Sequence, residues 1–127
     1  MYTIVRKGIL KYKIGDNNYI NVGTLTKEID DKYQISYVFD IDKKELSKVS
    51  EYEPLSAIMI PALDLDNGYN QRFIKTPYFI QMRIFDKRRQ DIDELLDMVG
   101  LKYYDQFEVM LKLKGKSIDR WECHEAE

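Results

Sequence analysis

The sequence predicts an α+β fold: an N-terminal antiparallel sheet or small barrel, followed by about three helices and a short edge strand. Two observations carry this expectation. In the first 40 residues, Tyr33, Ile35, Tyr37 and Phe39 alternate with Gln34, Ser36 and Asp40, the period-two pattern of a half-buried strand that only Val38 breaks. Beyond Thr76, apolar residues recur at helical spacing between acidic starts and glycine stops, from Asp91 to Gly100 and again from Asp105 to Gly115.

Residues 2–5 and 9–14 read as two strands divided at Lys7-Gly8, and Gly15-Asp16-Asn17-Asn18 favours a tight turn. Residues 19–28, rich in Val, Ile, Thr and Tyr, form a third strand and 33–39 a fourth, with 28–32 as a hairpin loop between them. Ile35 and Phe39 are expected in the core. Over 42–49 a short helix is expected, with Asp42 as its cap, Glu45 three positions on, and Leu46 and Val49 inward. Residues 57–60 are a short apolar run ending at Pro61, and 64–71 read as an exposed loop. Thr76 as a cap before Pro77 starts a helix running to about Phe85, with Tyr78, Phe79, Met82 and Phe85 at helical spacing.

The most regular helix follows Asp91, which is expected to cap it, with Glu94 three positions on. Ile92, Leu95, Leu96 and Val99 form one face and should pack onto the sheet, Gly100 stops the helix, and Asp93, Glu94 and Asp97 face outward. The last helix has Asp105 and Glu108 at its start, Phe107, Met110 and Leu111 inward, and Lys112 and Lys114 where cations complement the dipole. Residues 117–122 read as an edge strand. The whole is expected to be one domain over 1–127, mainly strands over 1–61 and mainly helical over 73–122.

Composition narrows the functional classes. Hydrophobic residues make up 44% of the 127 and charged residues 33%, enough for a core without staples. A net charge of −2 provides no global field for a polyanion, so any nucleic-acid contact must come from a local patch. One cysteine, Cys123, rules out an internal disulfide and fits a reducing compartment, so the expected location is cytoplasmic. Residues 1–10 carry Arg6, Lys7 and Gly8 where a signal peptide needs an apolar core, so none is expected there, and no run approaches the roughly 18 apolar residues of a membrane span. The Lys, Ile, Asn and Tyr bias fits an AT-rich bacterial or phage genome.

No catalytic, cofactor-binding or metal site is expected. Adjacent Cys123 and His124 read as a frayed tail, and two N or S ligands fall short of a structural zinc. Asp64-Leu65-Asp66-Asn67-Gly68 looks like a calcium loop, but its glycine falls one position early and Lys75 stands where the bidentate glutamate belongs. The six glycines are scattered singly, so there is no phosphate-binding loop. What remains is a basic cluster. Lys87, Arg88 and Arg89 precede a helix N-terminus, where positive charge is disfavoured, so either Asp91, Asp93 and Glu94 offset them or a partner's carboxylate or phosphate does. Together with Arg83 they are the candidate partner-binding residues.

Gly23-Thr24-Leu25, the 33–39 strand, Pro54-Leu55-Ser56 and Ile60-Pro61 together resemble the N-terminal subdomain of HipA-type kinase toxins. In some toxin-antitoxin systems that subdomain is a separate small protein that binds the kinase and restrains it. A second stretch, Tyr78-Phe79 through Arg88, Asp91-Ile92, Leu101, Tyr104-Asp105, Leu111, Gly115-Lys116 and Asp119, is similar to a block beside HIRAN-type domains in bacterial proteins. The Leu-Pro-Glu-Gly-like continuation of the kinase toxins is missing, and no kinase phosphate loop or catalytic loop fits the remaining length. The resemblance therefore implies the non-catalytic part alone, a protein-binding module that modulates a partner such as a toxin kinase. Two other readings are open: a phage-encoded inhibitor of a bacterial defence enzyme such as a CRISPR nuclease, and a nucleic-acid-end binder.

Overall fold

Strands β1 (Thr3–Gly15) and β2 (Asn18–Ile29) form a long antiparallel hairpin in the computed structural model, which describes residues 1–52, 68–117 and 119–126. The turn between them puts Asn17 at φ 58°, a left-handed conformation that asparagine tolerates. The expected break at Lys7-Gly8 is absent, and residues 2–5 and 9–14 belong largely to one strand. Gly8 serves a close approach instead. A Cβ there would collide with the Cys123 sulfur and lie 3.1 Å from Leu111.

Strand β3 (Ile35–Ile41) pairs with β2 after a loop organised by Asp30, whose carboxylate accepts the backbone N–H groups of Lys32 and Gln34, each at 2.8 Å. Tyr33 lies in that loop, at φ 63°, and is exposed, whereas the sequence pattern places it on the strand. Phe39 is buried as expected, but Ile35 is 39% exposed. It pairs with Ile29 at the end of the sheet, and alternation fixes a face without fixing how far the covering layer reaches. Phe39 meets Phe73 and Phe79 edge-on, at ring-centroid distances of 5.7 and 5.9 Å. Phe39→Ala should therefore cost about 3–5 kcal/mol in a denaturant titration, through a cavity that neighbouring rings cannot close.

Helix α1 (Lys43–Val49) forms as the sequence predicts: Asp42 accepts from the backbone of Lys44 and Glu45, and Leu46 and Val49 are buried. Residues 57–61, 64–67 and the Pro54-Leu55-Ser56 segment lie outside the described residues. Asn70 and Gln71 are not loop, as expected, but begin edge strand β4 (Asn70–Phe73), which pairs with β3.

Helix α2 (Tyr78–Gln81) is four residues long and stops well short of Phe85. Pro77 holds the cap position, and the Thr76 hydroxyl donates to Gln106 Oε1 at 2.6 Å rather than capping. Adjacent Phe79 and Ile80 are both buried, and Arg83 turns into the interior directly after them. Helix α3 (Ile92–Val99) ends at Gly100, φ 78°, whose N–H bonds Asp97. It packs on α4 (Gln106–Lys112) rather than lying flat on the sheet, and among its residues Leu96 is the buried one.

Helix α4 supplies Phe107, Val109, Met110 and Leu111 to the core. Its cap, Asp105, accepts from Glu108 N at 3.0 Å and from Lys27 Nζ at 2.8 Å, which ties the helix to β2. Burial pushes the Asp105 carboxyl up, but the Lys27 hydrogen bond and charge, with the backbone donors, outweigh it and hold the carboxyl below its usual range. A depressed carboxyl stabilises the fold above its unfolded pKa, and that contribution is lost as pH falls through the folded value. The stability gap between wild type and Asp105→Asn should thus be constant at neutral pH and close on acidification, as followed by denaturant titrations across pH.

Strand β5 (Trp121–Glu125) pairs with β1 and completes an open antiparallel sheet of order β4-β3-β2-β1-β5. This corrects the frayed-tail reading and moves the expected edge strand from 117–122 toward the C-terminus. Cys123 is fully buried, and burial pushes its thiol up to about 12. The core lies between one face of the sheet and the helices, with Leu10, Tyr12, Leu25, Phe39, Phe79, Phe107 and Trp121 at its centre.

Candidate partner-binding site

The basic cluster lies in the connection between α2 and α3. Arg88 forks onto Asp86, with Nε to Oδ1 at 3.2 Å and Nη2 to Oδ2 at 3.0 Å, and its backbone N–H also bonds Asp86 Oδ1 at 2.8 Å. Arg89 forks onto Asp91 at 2.9 and 3.0 Å. The hydrogen bonds from Arg88 hold the Asp86 carboxyl down at about 2, and those from Arg89 lower Asp91. Local pairing is thus part of the answer to the unfavourable dipole. Its partners are Asp86 and Asp91, whereas the sequence singles out Asp91, Asp93 and Glu94. Asp91 stands at the cap position of α3, yet its side chain is turned to Arg89 and makes no cap bond.

These pairs leave the cations accessible. The Arg88 side chain is 89% exposed and that of Arg89 53%. Exposed ion pairs contribute little to stability, but a bidentate fork holds a guanidinium in one orientation. Lys87, between Asp86 and Arg88, has no ion-pair partner among the described residues.

Lys87 and Arg88 also form one wall of a cleft of about 430 Å³, with Gln81, Ile84, Asp86, Tyr104 and Gln106 around it. Its far wall is fixed by Tyr104, whose hydroxyl donates to the Phe85 carbonyl at 2.7 Å and whose ring tilts against Phe85 at 6.2 Å. Burial raises the Tyr104 phenol, and the Asp86 and Asp105 carboxylates raise it further. Sequence reading missed Tyr104, Gln81 and Gln106 as cleft residues. Asp86 alone had a local signal, because it directly precedes the cluster.

Arg83 stands apart from the other three candidates. Its side chain is 0% exposed, and its guanidinium donates to the carbonyls of Gly115 at 2.7 Å, Phe79 at 3.2 Å and Trp121 at 3.3 Å, and to Asp119. It also lies 3.8 Å from the Phe79 ring centroid. The structure places it as an internal clamp between α2, the turn after α4 and the start of β5.

Among the described residues, no group of three or more His, Cys, Asp or Glu side chains could hold a metal ion, and no helix is long and apolar enough to cross a membrane. No family model, curated protein or solved structure matches this chain.

Proposed function

We propose that this chain is a non-enzymatic binding module that docks on a protein partner through the α2–α3 connection and modulates it. The kinase of a HipA-type toxin is the partner that its sequence resemblance implies. The observation that carries the reading is the presentation of Lys87, Arg88 and Arg89: two pre-oriented exposed guanidinia and an ammonium with no ion pair among the described residues, beside a mixed cleft. With their Nε–Nη2 edges taken by Asp86 and Asp91, the remaining guanidinium N–H groups and the Lys87 ammonium suit carboxylates on a facing surface, and the Tyr104 and Ile84 side of the cleft offers apolar area beside them. The titration of the cleft favours binding over proton transfer. Asp86 at about 2 and a raised Tyr104 keep one protonation state each across the neutral range, where a general acid or base must exchange protons.

The test is calorimetry against a purified HipA-type kinase that lacks its own N-terminal subdomain. The parent chain should bind it, and Arg88→Glu with Arg89→Glu should weaken binding by about tenfold or more while circular dichroism stays unchanged, since both side chains are exposed. Equal affinity of the reversed variant and the parent would remove the cluster from the interface. Absence of binding by the parent would remove the kinase as the partner.

A further inference from the structure

We propose that the sheet face turned away from the helices binds single-stranded nucleic acid along a row of lysines on β1. This goes beyond the protein-binding reading and uses a different surface. Gly8, Leu10 and Tyr12 of β1 are buried on the core side, so alternation puts Lys7, Ile9, Lys11 and Lys13 on the opposite face. Their neighbours across β2 are Thr26, Thr24, Asn21 and Tyr19. On the other side, β5 sets His124 beside Ile9 and Glu122 beside Lys11.

The carboxylates of this face are largely engaged. Glu28 pairs with Arg72 at 3.1 Å. Glu122, nearly buried, accepts from the Tyr19 hydroxyl at 3.3 Å and lies 2.8 Å from His124 Nε2. Asp40 stays exposed on the β3 side. The Lys7 and Lys13 side chains have no hydrogen bond or ion pair among the described residues, and Lys11 lies over the Tyr19 ring at 5.6 Å from its centroid. The row thus holds three cations without carboxylate partners among the described residues, and successive same-face positions on a strand are about 7 Å apart. Two rings accompany it: Tyr19 across from Lys13, and Tyr2, 51% exposed, over the Arg72 guanidinium at 3.7 Å.

Ammonium groups in line, with the Tyr19 and Tyr2 rings beside them, match a polyanion whose bases are free to stack. A duplex hides its base faces, so rings placed beside a row of ammonium groups favour the single strand. Thr24 and Asn21 between supply hydrogen bonds without strong base selectivity, which fits stacking and charge as the main contributions, whereas Thr26 is buried with its hydroxyl on Glu28 and the Val38 carbonyl.

Fluorescence anisotropy with short labelled oligo-dT and oligo-rU strands tests this. The full chain should bind one or both at low salt, with log K falling against log salt at a slope of about −2, as expected for roughly three phosphate contacts to a single strand. Lys7→Ala with Lys13→Ala should weaken binding by about tenfold and bring the slope to about −0.7, while Lys7→Arg with Lys13→Arg restores both. If the double alanine variant fails to fold by circular dichroism, exposed Lys7→Gln alone is read, with a proportionately smaller loss. Arg88→Glu with Arg89→Glu should leave oligonucleotide binding unchanged, separating this face from the α2–α3 connection. The proposal is overturned by no binding at low salt, by unchanged binding in the lysine variants, by equal affinity for a duplex of the same length, or by polyglutamate competing as well as the oligonucleotide. The last result would assign the row to an acidic polypeptide.

Discussion

Replacing Arg83 by Met should destabilise the domain by about 3–5 kcal/mol, as expected when one partner is removed from a buried ion pair. Methionine fills much of the volume but returns no donors. The carbonyls of Gly115, Phe79 and Trp121 then lose their partner together, while the Asp119 carboxylate keeps the Trp121 N–H at 3.0 Å but loses its countercharge, and each polar group left unsatisfied in the interior carries its own desolvation cost. Burial lowers the Arg83 pKa, and the hydrogen bond and charge of Asp119 work against that, so the buried guanidinium leans on its carboxylate. Urea titrations of the parent, Arg83→Met, Asp119→Asn and the double variant form a cycle. The double variant should be less destabilised than the sum of the single ones, because the second substitution removes a charge already orphaned by the first. Strict additivity would mean that the pair is not coupled, and the clamp assignment would fail.

Arg83 also marks the boundary of what was legible in the sequence. The elements with local grammar were readable: the Asp42 and Asp105 caps, the Gly100 and Gly115 stops, the hairpin at Gly15 to Asn18, and Phe39 in the core. Each of these depends on neighbours a few residues away. Misreadings arose where a distant segment decides the outcome. Lys7-Gly8 looks like a break, yet Gly8 is small because Cys123 packs against it from more than a hundred positions along the chain. Cys123 and His124 look like tail, but β1 offers them an edge to pair with. Arg83 lies four positions before Lys87, Arg88 and Arg89, and only the carbonyls of Gly115 and Trp121 distinguish an interior clamp from a surface cation. The same holds for the lysine row on β1, whose members are separated by Gly8, Leu10 and Tyr12 in sequence and joined only by the pleat.

Gly115→Ala should be among the most damaging single-methyl additions in this chain, at about 2–5 kcal/mol once left-handed strain and overpacking combine. Two costs coincide at this position. Gly115 has φ 61°, where an L side chain is disfavoured, and its N–H bonds Met110 at 2.8 Å to close the end of α4, so the backbone cannot relax into another region without undoing that turn. The added Cβ would also strike the backbone nitrogen of Cys123 and lie 2.8 Å from its Cβ. That segment of β5 is held on both sides, by the ladder to β1 and by Cys123 N donating to Lys114 at 3.0 Å. Gly100→Ala provides the control. It has φ 78° and nothing within 4 Å of the place its methyl would take, so it carries the conformational cost alone, about 1 kcal/mol. The difference between the two variants in urea titrations measures the collision with β5. If the two cost the same, the contact between the α4 turn and Cys123 is loose, and β5 is held by its ladder and by Arg83 rather than by close packing against that turn.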